Sequence, residues 1–284
     1  MRLSLSPYPL RPLPLADGEA QTGTQPFHPL AHPLLVRPPT LIPRPETEHW
    51  VALLASRILD STPTSPPPLD ADPAPFRLLD IGTGSGCIAL ALAAHLRPAG
   101  RAVRCTAVDR SPSALALAAE NAARQSLSGV VAVRQADLFS PSFAATACTG
   151  SGFDLVVSNP PYITKAEYAG LDPSVRAWED RGALVGEELE LGEQASLRRA
   201  ADDADDGLVF YRRIVSLFGE LLSSGAHGSG TAPAVAFEVG QGQARDVERL
   251  VRAWRGAAGE ALETEVVEDP WGIERAVFAR RRDK

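Results

Sequence analysis

The chain has few of the residues that disulfide frameworks and metal centres require. Its three cysteines are an odd number and include no Cys-x-x-Cys pair, which excludes a disulfide framework and a zinc site and indicates a reducing compartment. The five histidines show no metal-ligand spacing. No apolar run approaches the length of a membrane span. We therefore expect no metal and no membrane partner.

Basic charge is also scarce. The chain has 28 Lys and Arg against 35 Asp and Glu, a net charge of −7. Proteins that bind nucleic acid mainly through phosphates need a basic field. This balance does not forbid nucleic acid, but it favours a protein or small-molecule substrate. A length of 284 residues allows one full α/β domain and a smaller appendage.

A strand, a glycine turn and a helix follow one another over residues 76–94, as at the start of a nucleotide-type α/β unit. The turn reads Gly82-Thr83-Gly84-Ser85-Gly86. A dinucleotide fingerprint would have Gly or Ala where Cys87 stands, and a P-loop would have a lysine. Asp80, at the strand end, would repel a pyrophosphate but could attract a cation. The pattern therefore favours S-adenosylmethionine, which carries an ammonium and a sulfonium.

Two further acids follow later strands. Asp109 ends the second strand, where an acid commonly accepts two ribose hydroxyls. Asp137 follows the third strand and could accept the adenine amine, with Leu138 or Phe139 against the ring. Each acid alone could instead cap a helix. The order of the elements favours the cofactor interpretation.

The tetrapeptide Asn159-Pro160-Pro161-Tyr162 follows a buried-looking strand. An amide or aromatic amine nitrogen is a poor nucleophile because its lone pair is delocalised, so it must be held by fixed acceptors. The Asn159 side chain and the next backbone carbonyl can supply two. The prolines stiffen the loop, and Tyr162 offers a flat face. The alternative is a Pro-rich turn.

Alternating strands and helices predict an α/β fold of the Rossmann-like, doubly wound type with seven strands. The last two strands are joined by a short turn, which requires an antiparallel pair. Ligands of such sheets bind at the carboxyl ends of the strands. The predicted strands are 76–81, 102–108, 130–134, 153–158, 234–239, 263–267 and 274–279, and the main helices are 46–60, 87–94, 113–124, 207–223 and 244–255.

Composition divides the chain into three parts. Residues 1–25 are rich in Pro and Leu, and they fit either a targeting segment or a disordered start. Residues 26–75 form an arm with a hairpin, a helix and a Pro-rich linker. Residues 76–284 form the catalytic domain.

The chain resembles the release-factor glutamine methyltransferase family (HemK-type). The likeness covers roughly residues 35–284. Its most specific motifs are the arm sequence Pro43-Arg44-Pro45-Glu46-Thr47-Glu48, the cofactor loop at 78–89 and the Asn-Pro-Pro-Tyr loop. Weaker matches lie at 178–184, 206–212, 237–243 and 272–275.

The resemblance implies a class I methyltransferase that methylates the glutamine amide in the Gly-Gly-Gln loop of a class I peptide release factor. Asn159, Pro160 and Tyr162 would be catalytic, and Pro161 would complete the substrate slot. The cofactor residues would be Asp80, Gly82, Thr83, Gly84, Gly86, Asp109, Asp137, Leu138 and Asn159. The arm signature favours a mitochondrial or bacterial type of enzyme, so we expect the mitochondrial matrix, with the cytoplasm as the alternative.

Other interpretations remain open. The loop also fits an amino-methyltransferase acting on adenine or guanine, although such enzymes extrude a base and usually have a basic surface. A third alternative is a non-catalytic scaffold, but a scaffold would not need Asn159.

The roles of three segments also remain open. Arg44, Glu46 and Thr47 either brace the arm or cap its helix. The acidic stretch 187–205 is either a solvated loop or a docking site for a basic release-factor surface. Only about forty residues precede the arm, which indicates reduced substrate docking or a truncated gene model.

Overall fold

The computed structural model describes residues 23–61, 74–148, 150, 152–186, 205–223 and 232–282. Residues 1–22, most of the predicted linker and residues 187–204 of the acidic stretch lie outside this part. Within the described part, a two-stranded hairpin precedes one sheet of seven strands. No helix there is long and apolar enough to cross a membrane.

The sheet has the predicted seven strands. The strands of the sheet are β3 Phe76–Ile81, β4 Val103–Asp109, β5 Val131–Gln135, β6 Leu155–Ser158, β7 Pro233–Glu238, β8 Leu262–Glu268 and β9 Glu274–Arg281, and those of the hairpin are β1 Gly23–Gln25 and β2 Leu34–Val36. The order of strands in the sheet is β5-β4-β3-β6-β7-β9-β8. The pairs from β5 to β7 are parallel, whereas β9 is antiparallel to both β7 and β8. The prediction of an antiparallel last strand is therefore confirmed.

Helices cover the sheet and build the loops at its edge. They are α1 Pro45–Asp60, α2 Cys87–Leu96, α3 Pro112–Arg124, α4 Phe143–Ala147, α5 Lys165–Ala169, α6 Pro173–Trp178, α7 Arg181–Leu184, α8 Val209–Ser216, α9 Phe218–Leu221 and α10 Ala244–Ala253. Helix α2 is apolar on nearly every side and almost wholly buried, because it packs against both α1 and the sheet. Helix α3 begins at a proline after the capping residue Ser111.

The prediction of one continuous helix over residues 207–223 is wrong, because the structure has two shorter helices there, α8 and α9. The two helices are separated at Leu217. The N–H of Leu217 donates to the carbonyl of Ile214, three residues earlier, at 3.0 Å, and such an i→i−3 bond makes a tighter turn than that of an α-helix. Residues 222–223 then leave the helix. The N–H of Ser223 donates to the carbonyl of Phe153 at 2.8 Å. Phe153 makes only an isolated bridge to Leu222, so β6 begins at Leu155 rather than at residue 153.

The arm packs directly on the seven-stranded sheet and its helices. Helix α1 begins at Pro45, and its buried Trp50 donates from Nε1 to Oε2 of Glu238 at the end of β7, at 2.8 Å. The hairpin is held by Asn121 of α3, which bonds both the N–H and the carbonyl of Leu35. The first hairpin strand begins at Gly23. The hairpin therefore starts before the predicted boundary at residue 26, while the division into three parts otherwise stays a prediction.

Candidate functional site

One cavity opens at the carboxyl ends of the central parallel strands. The turn after β3, the end of β4, the loop after β5 and the loop after β6 contribute to its wall. Most residues of the arm segment 39–44 and of the segment 180–183 complete it, with the exceptions of Ile42 and Arg181. The structure thus brings Asp109, Asp137 and Asn159 into one cavity beside the glycine turn. This is the edge at which ligands of doubly wound sheets bind.

The glycine turn exposes its backbone to this cavity. Gly82 has a φ of +72°, a conformation that favours glycine, and a Cβ atom built there would have no heavy atom within 4 Å. Gly84 has a φ of +55°, and its N–H donates to Oδ2 of Asp109 at 3.0 Å. Thr83 also lines the wall. A ligand can therefore approach the backbone closely at this turn.

The structure places Asp80 beneath the glycine turn rather than on the cavity wall. It is fully buried, and its Oδ2 accepts hydrogen bonds from Oγ1 of Thr83 at 2.7 Å and from the N–H of Ala89 at 3.3 Å. Its Oδ1 has no partner in the described part of the chain. Burial raises the pKa of Asp80 to about 7, against the lowering effect of these two bonds. Asp80 thus organises the turn from below.

Gly86 also lies off the wall. It precedes α2 with a φ of +85°, and an added Cβ would lie 3.2 Å from Cδ1 of Leu90 and 3.4 Å from Cβ of Ala118. Gly86 therefore allows α2 and α3 to pack closely, while its predicted contact with the cofactor stays a prediction.

Asp109 lies at the end of β4 and faces the cavity. Its two oxygens accept hydrogen bonds from the N–H groups of Gly84 and Ser111. Ser111, not Asp109, is the capping residue of α3, so the alternative role for Asp109 is not found. Burial raises its pKa. A carboxylate has about four acceptor positions, so Asp109 can still accept two hydroxyls.

The next part of the wall combines an acid with apolar side chains. Oδ1 of Asp137 accepts the N–H of Phe139 at 2.9 Å, which fixes the loop after β5. The ring of Phe139 meets the ring of Phe210 edge to face, with centroids 5.1 Å apart. Leu138 and Phe210 also line the cavity. A flat aromatic ligand edge could bond Asp137 while its faces contact these apolar groups.

The Asn-Pro-Pro-Tyr loop leaves the end of β6, where Oγ of Ser158 donates to the carbonyl of Ile81 at 2.7 Å. Asn159, Pro160 and Pro161 line the cavity. Among the described residues, neither the Asn159 side chain nor the Pro160 carbonyl has a hydrogen-bond partner. Two fixed oxygens therefore remain available to a ligand that donates N–H groups.

Tyr162 lies behind this loop rather than on the cavity wall. Its half-buried side chain packs against Gly240, where a Cβ atom would come within 2.9 Å of Cδ2 of the ring. Burial raises the pKa of the Tyr162 phenol, and the nearby Glu238 raises it further. The space left by a glycine lets the ring turn inward. Tyr162 therefore supports the loop from behind in this structure.

The arm contributes residues to the site that sequence reasoning did not assign. Arg44 and Thr47 line the cavity. Arg44 occupies the N-cap position of α1, but its side chain makes no capping hydrogen bond and pairs with Glu179 instead. Thr47 donates from Oγ1 to Oε2 of buried Glu238 at 2.6 Å. These contacts favour the bracing interpretation. Phe210 and residues 180–183 lie within the weaker family matches at 206–212 and 178–184, but nothing in the sequence assigned them to the cavity wall.

The chemistry of the wall fits S-adenosylmethionine. It offers a carboxylate for hydroxyls at Asp109, an acid and apolar groups for a heteroaromatic ring near Asp137, and open backbone at Gly82. The glycine turn itself has no lysine, which a P-loop would require. In the described part of the chain, no group of three or more potential metal ligands occurs.

Comparisons with known proteins agree with this geometry. Residues 75–177 match the model of a family described as "Methyltransferase domain". The release factor glutamine methyltransferase of Bacteroides thetaiotaomicron is 33% identical over 246 residues, which cover 87% of this chain and 70% of the relative. That of Geobacter sulfurreducens is 34% identical over 258 residues, or 91% and 71% of the two chains.

Among solved structures, the METTL16 MTase domain is similar with a TM-score of 0.50 and 16% identity, over 85% of this chain and 70% of that one. This likeness shows the shared fold alone.

Proposed function

This chain belongs to the release factor glutamine methyltransferase family, and from that premise we propose that it methylates the side-chain amide nitrogen of a glutamine in a peptide chain release factor. The methyl donor is S-adenosylmethionine, and the target glutamine is that of the Gly-Gly-Gln motif. One observation carries the proposal: the unpartnered oxygens of Asn159 and Pro160 lie on the same cavity wall as the acids expected to bind the donor.

The loop addresses the low nucleophilicity of a carboxamide by positioning it. The Asn159 side-chain oxygen and the Pro160 carbonyl accept the two N–H groups of the glutamine, which fixes the nitrogen and its plane. Pro161 keeps the loop rigid. Well-oriented groups can lower a barrier by about 7–11 kcal/mol. Orientation is therefore the main contribution expected of this chain.

The donor, when bound, supplies an activated methyl group on a positively charged sulfur. Asp109 would hold its ribose hydroxyls, and Asp137 with Leu138 would hold its adenine. The backbone at Gly82 and Gly84 would leave room for its remaining part. The walls from the arm and from residues 180–183 would cover the bound donor on that side of the cavity.

No strong base is expected to act on the amide before transfer. Burial raises the pKa of Tyr162, so its phenol keeps its proton. One carboxylate oxygen of Glu238 already accepts hydrogen bonds from Thr47 and Trp50. The nitrogen therefore loses its proton late, to water or to a backbone carbonyl.

The test is transfer of a radiolabelled methyl group to a purified release factor, compared with DNA and RNA. We expect label on the release factor, and none when the glutamine of its Gly-Gly-Gln motif is changed to glutamate. Label on nucleic acid alone would show an amino-methyltransferase. Absence of label with the donor still bound, measured by calorimetry, would show a scaffold.

The mitochondrial matrix is proposed as the location, with the cytoplasm as the alternative. It is supported by the composition of residues 1–25 and by the arm signature. Imaging of fluorescent fusions with and without residues 1–25 tests it. A diffuse signal from both fusions would favour the cytoplasm.

A further inference from the structure

The backbone of residues 161–162 is enclosed by three glycines from distant parts of the chain. A Cβ atom at Gly186 would lie 2.8 Å from the carbonyl oxygen of Pro161, and one at Gly207 would overlap the carbonyl oxygen of Tyr162. A Cβ atom at Gly240 would lie 2.9 Å from the Tyr162 ring. Because real Cβ atoms do not approach so closely, only glycine allows this packing.

One side chain joins these segments. Nε2 of Gln243 donates to the carbonyl of Tyr162 and to the carbonyl of Asp206, each at 3.0 Å. Its Oε1 accepts the N–H of Gly240 at 3.1 Å. The half-buried amide thus uses both donors and one acceptor on backbone groups of three separate segments. Gln243 itself is fixed as the residue that precedes α10.

The loop is also held on its other side. The N–H of Ile163 donates to the carbonyl of Leu184 at 3.0 Å, and the N–H of Gly186 donates to the carbonyl of Ile163 at 2.9 Å. These bonds form a short bridge that runs beside Val185. The backbone of residues 162–163 is therefore hydrogen-bonded on two sides, and the Gln243 side chain provides the bond on one of them.

We propose that Gln243 is a positioning residue for methyl transfer. It lies off the cavity wall, so it acts through the Tyr162 carbonyl. By fixing that carbonyl it sets the direction in which Asn159 and Pro160 present their acceptor oxygens. This inference rests on the proposed function, because it assigns Gln243 to the acceptor side of that reaction.

Loss of the Gln243 bonds should displace the acceptor oxygens because Tyr162 is only two residues from Pro160. Residues 160 and 161 are prolines with fixed φ, so a shift at Tyr162 is transmitted to Pro160 with little absorption along the chain. A displacement of about 1 Å at the reacting groups can reduce a rate by about a hundredfold. None of the backbone groups that Gln243 holds belongs to the wall residues expected to bind the donor, such as Asp109 and Asp137.

The experiment uses the full chain with the change Gln243→Met, which keeps the side-chain length but removes all three bonds. Gln125→Met is the matched control. Gln125 holds a backbone in the same way, by donating to the carbonyl of His32 at 2.6 Å and accepting its N–H at 3.2 Å, in the hairpin loop away from the cavity. Gln243→Glu is the second variant, because it keeps the acceptor for Gly240 and removes the two donors.

We expect kcat on the release factor to fall about tenfold to a hundredfold in both Gln243 variants, with the donor Kd within twofold of wild type. Gln125→Met should leave kcat unchanged. An unchanged kcat in Gln243→Glu, or a parallel loss of donor affinity, would overturn the proposal.

Hydrogen exchange of the peptide covering residues 159–165 separates this inference from the function. The amides of this segment should exchange faster in Gln243→Met than in wild type or Gln125→Met, whatever the substrate is. If wild type does not label the release factor but this exchange difference is present, the proposed function fails and the positioning of the loop stands. If exchange is equal in all three proteins, the positioning role is excluded.

Discussion

Arg44 and Glu179 join two walls of the cavity that lie 135 positions apart in the chain. Nη2 of Arg44 donates to both carboxylate oxygens of Glu179, at 2.6 and 2.8 Å. Beside this pair, the N–H of Asp180 donates to the carbonyl of Pro39 at 2.8 Å. The arm and the segment around α6 and α7 are therefore fastened to each other where both line the site.

Removal of Arg44 should destabilise the protein. The Glu179 side chain is only 3% exposed, so Arg44→Leu would leave a buried charge without its partner. We expect a loss of about 3–5 kcal/mol in the free energy of unfolding, measured by urea denaturation. Burial already raises the pKa of Glu179. The loss should therefore be smaller at pH 5 than at pH 8, because a protonated Glu179 needs no partner.

Arg57→Leu is the control for this change. Arg57 pairs with Glu265 through two nitrogens at 2.7 and 3.0 Å, but the side chains are 44% and 48% exposed. Exposed pairs contribute about 0–1 kcal/mol. Equal effects of the two substitutions would show that burial of Glu179 does not govern the stability of the arm.

A second prediction concerns pH and Asp80. The pKa of this buried acid is raised from 3.8 to about 7, so the folded protein keeps a proton that the unfolded chain releases. Its stabilising contribution is complete below pH 3.8 and is lost as the pH rises through 7. Asp80→Asn cannot titrate. Between pH 5 and pH 8, without donor, wild type should therefore lose about 2–3 kcal/mol relative to this variant. A constant difference in unfolding free energy would contradict the raised pKa.

The regular elements could be predicted because their signals are local. Strands β3 to β7 are short apolar runs, and helix α2 follows a glycine turn that only a few folds use. The antiparallel β9 followed from the five residues that separate it from β8. The convergence of Asp109, Asp137 and Asn159 followed from strand direction alone. One local signal was missed: Thr164 and Glu167 form a capping box at the start of α5.

The remaining features depend on contacts between distant segments. The second part of the divided helix ends at Leu221, where residues 222–223 pair with Phe153 instead. Tyr162 turns inward because Gly240 leaves space for its ring. The partners of Arg44 and Gln243 have no local signature, since a polar residue in the sequence does not reveal which distant group it will bond. Spacing therefore predicted the place of the site but not the contacts that brace it.

Asp109→Ala should weaken donor binding before it affects turnover. Hydrogen bonds to a charged group contribute about 1.5–3 kcal/mol, so we expect the donor Kd to rise about tenfold to a hundredfold in calorimetry. Asp154→Ala is the control, because Asp154 also accepts a backbone N–H, that of Arg77 at 2.8 Å, but at the opposite edge of the sheet. An unchanged Kd for Asp109→Ala would exclude the ribose role.

Asn159→Ala should reduce turnover without weakening donor binding. Its side chain lines the cavity without a partner among the described residues, so its loss removes an acceptor for the glutamine amide but no internal bond. We expect kcat to fall about a hundredfold or more, with the donor Kd and the unfolding free energy nearly unchanged. Loss of donor binding in this variant would place Asn159 on the donor side of the reaction instead.

Gly207→Ala should disturb the catalytic loop more than backbone strain alone can explain. Gly207 has a φ of +70°, and its added Cβ would overlap the Tyr162 carbonyl and lie 2.5 Å from Nε2 of Gln243. Gly100→Ala is the control, since Gly100 has a φ of +78° with no heavy atom within 4 Å of an added Cβ. Both changes carry the strain of a positive φ, about 1–3 kcal/mol.

Only Gly207→Ala displaces the groups that hold Asn159 and Pro160. We therefore expect both variants to unfold more easily than wild type, but only Gly207→Ala to lose turnover, by about tenfold or more, at saturating donor. If the two variants have the same kcat, the collision at Tyr162 is absorbed by the region around Gly207, and the loop after β6 does not depend on the packing of that glycine.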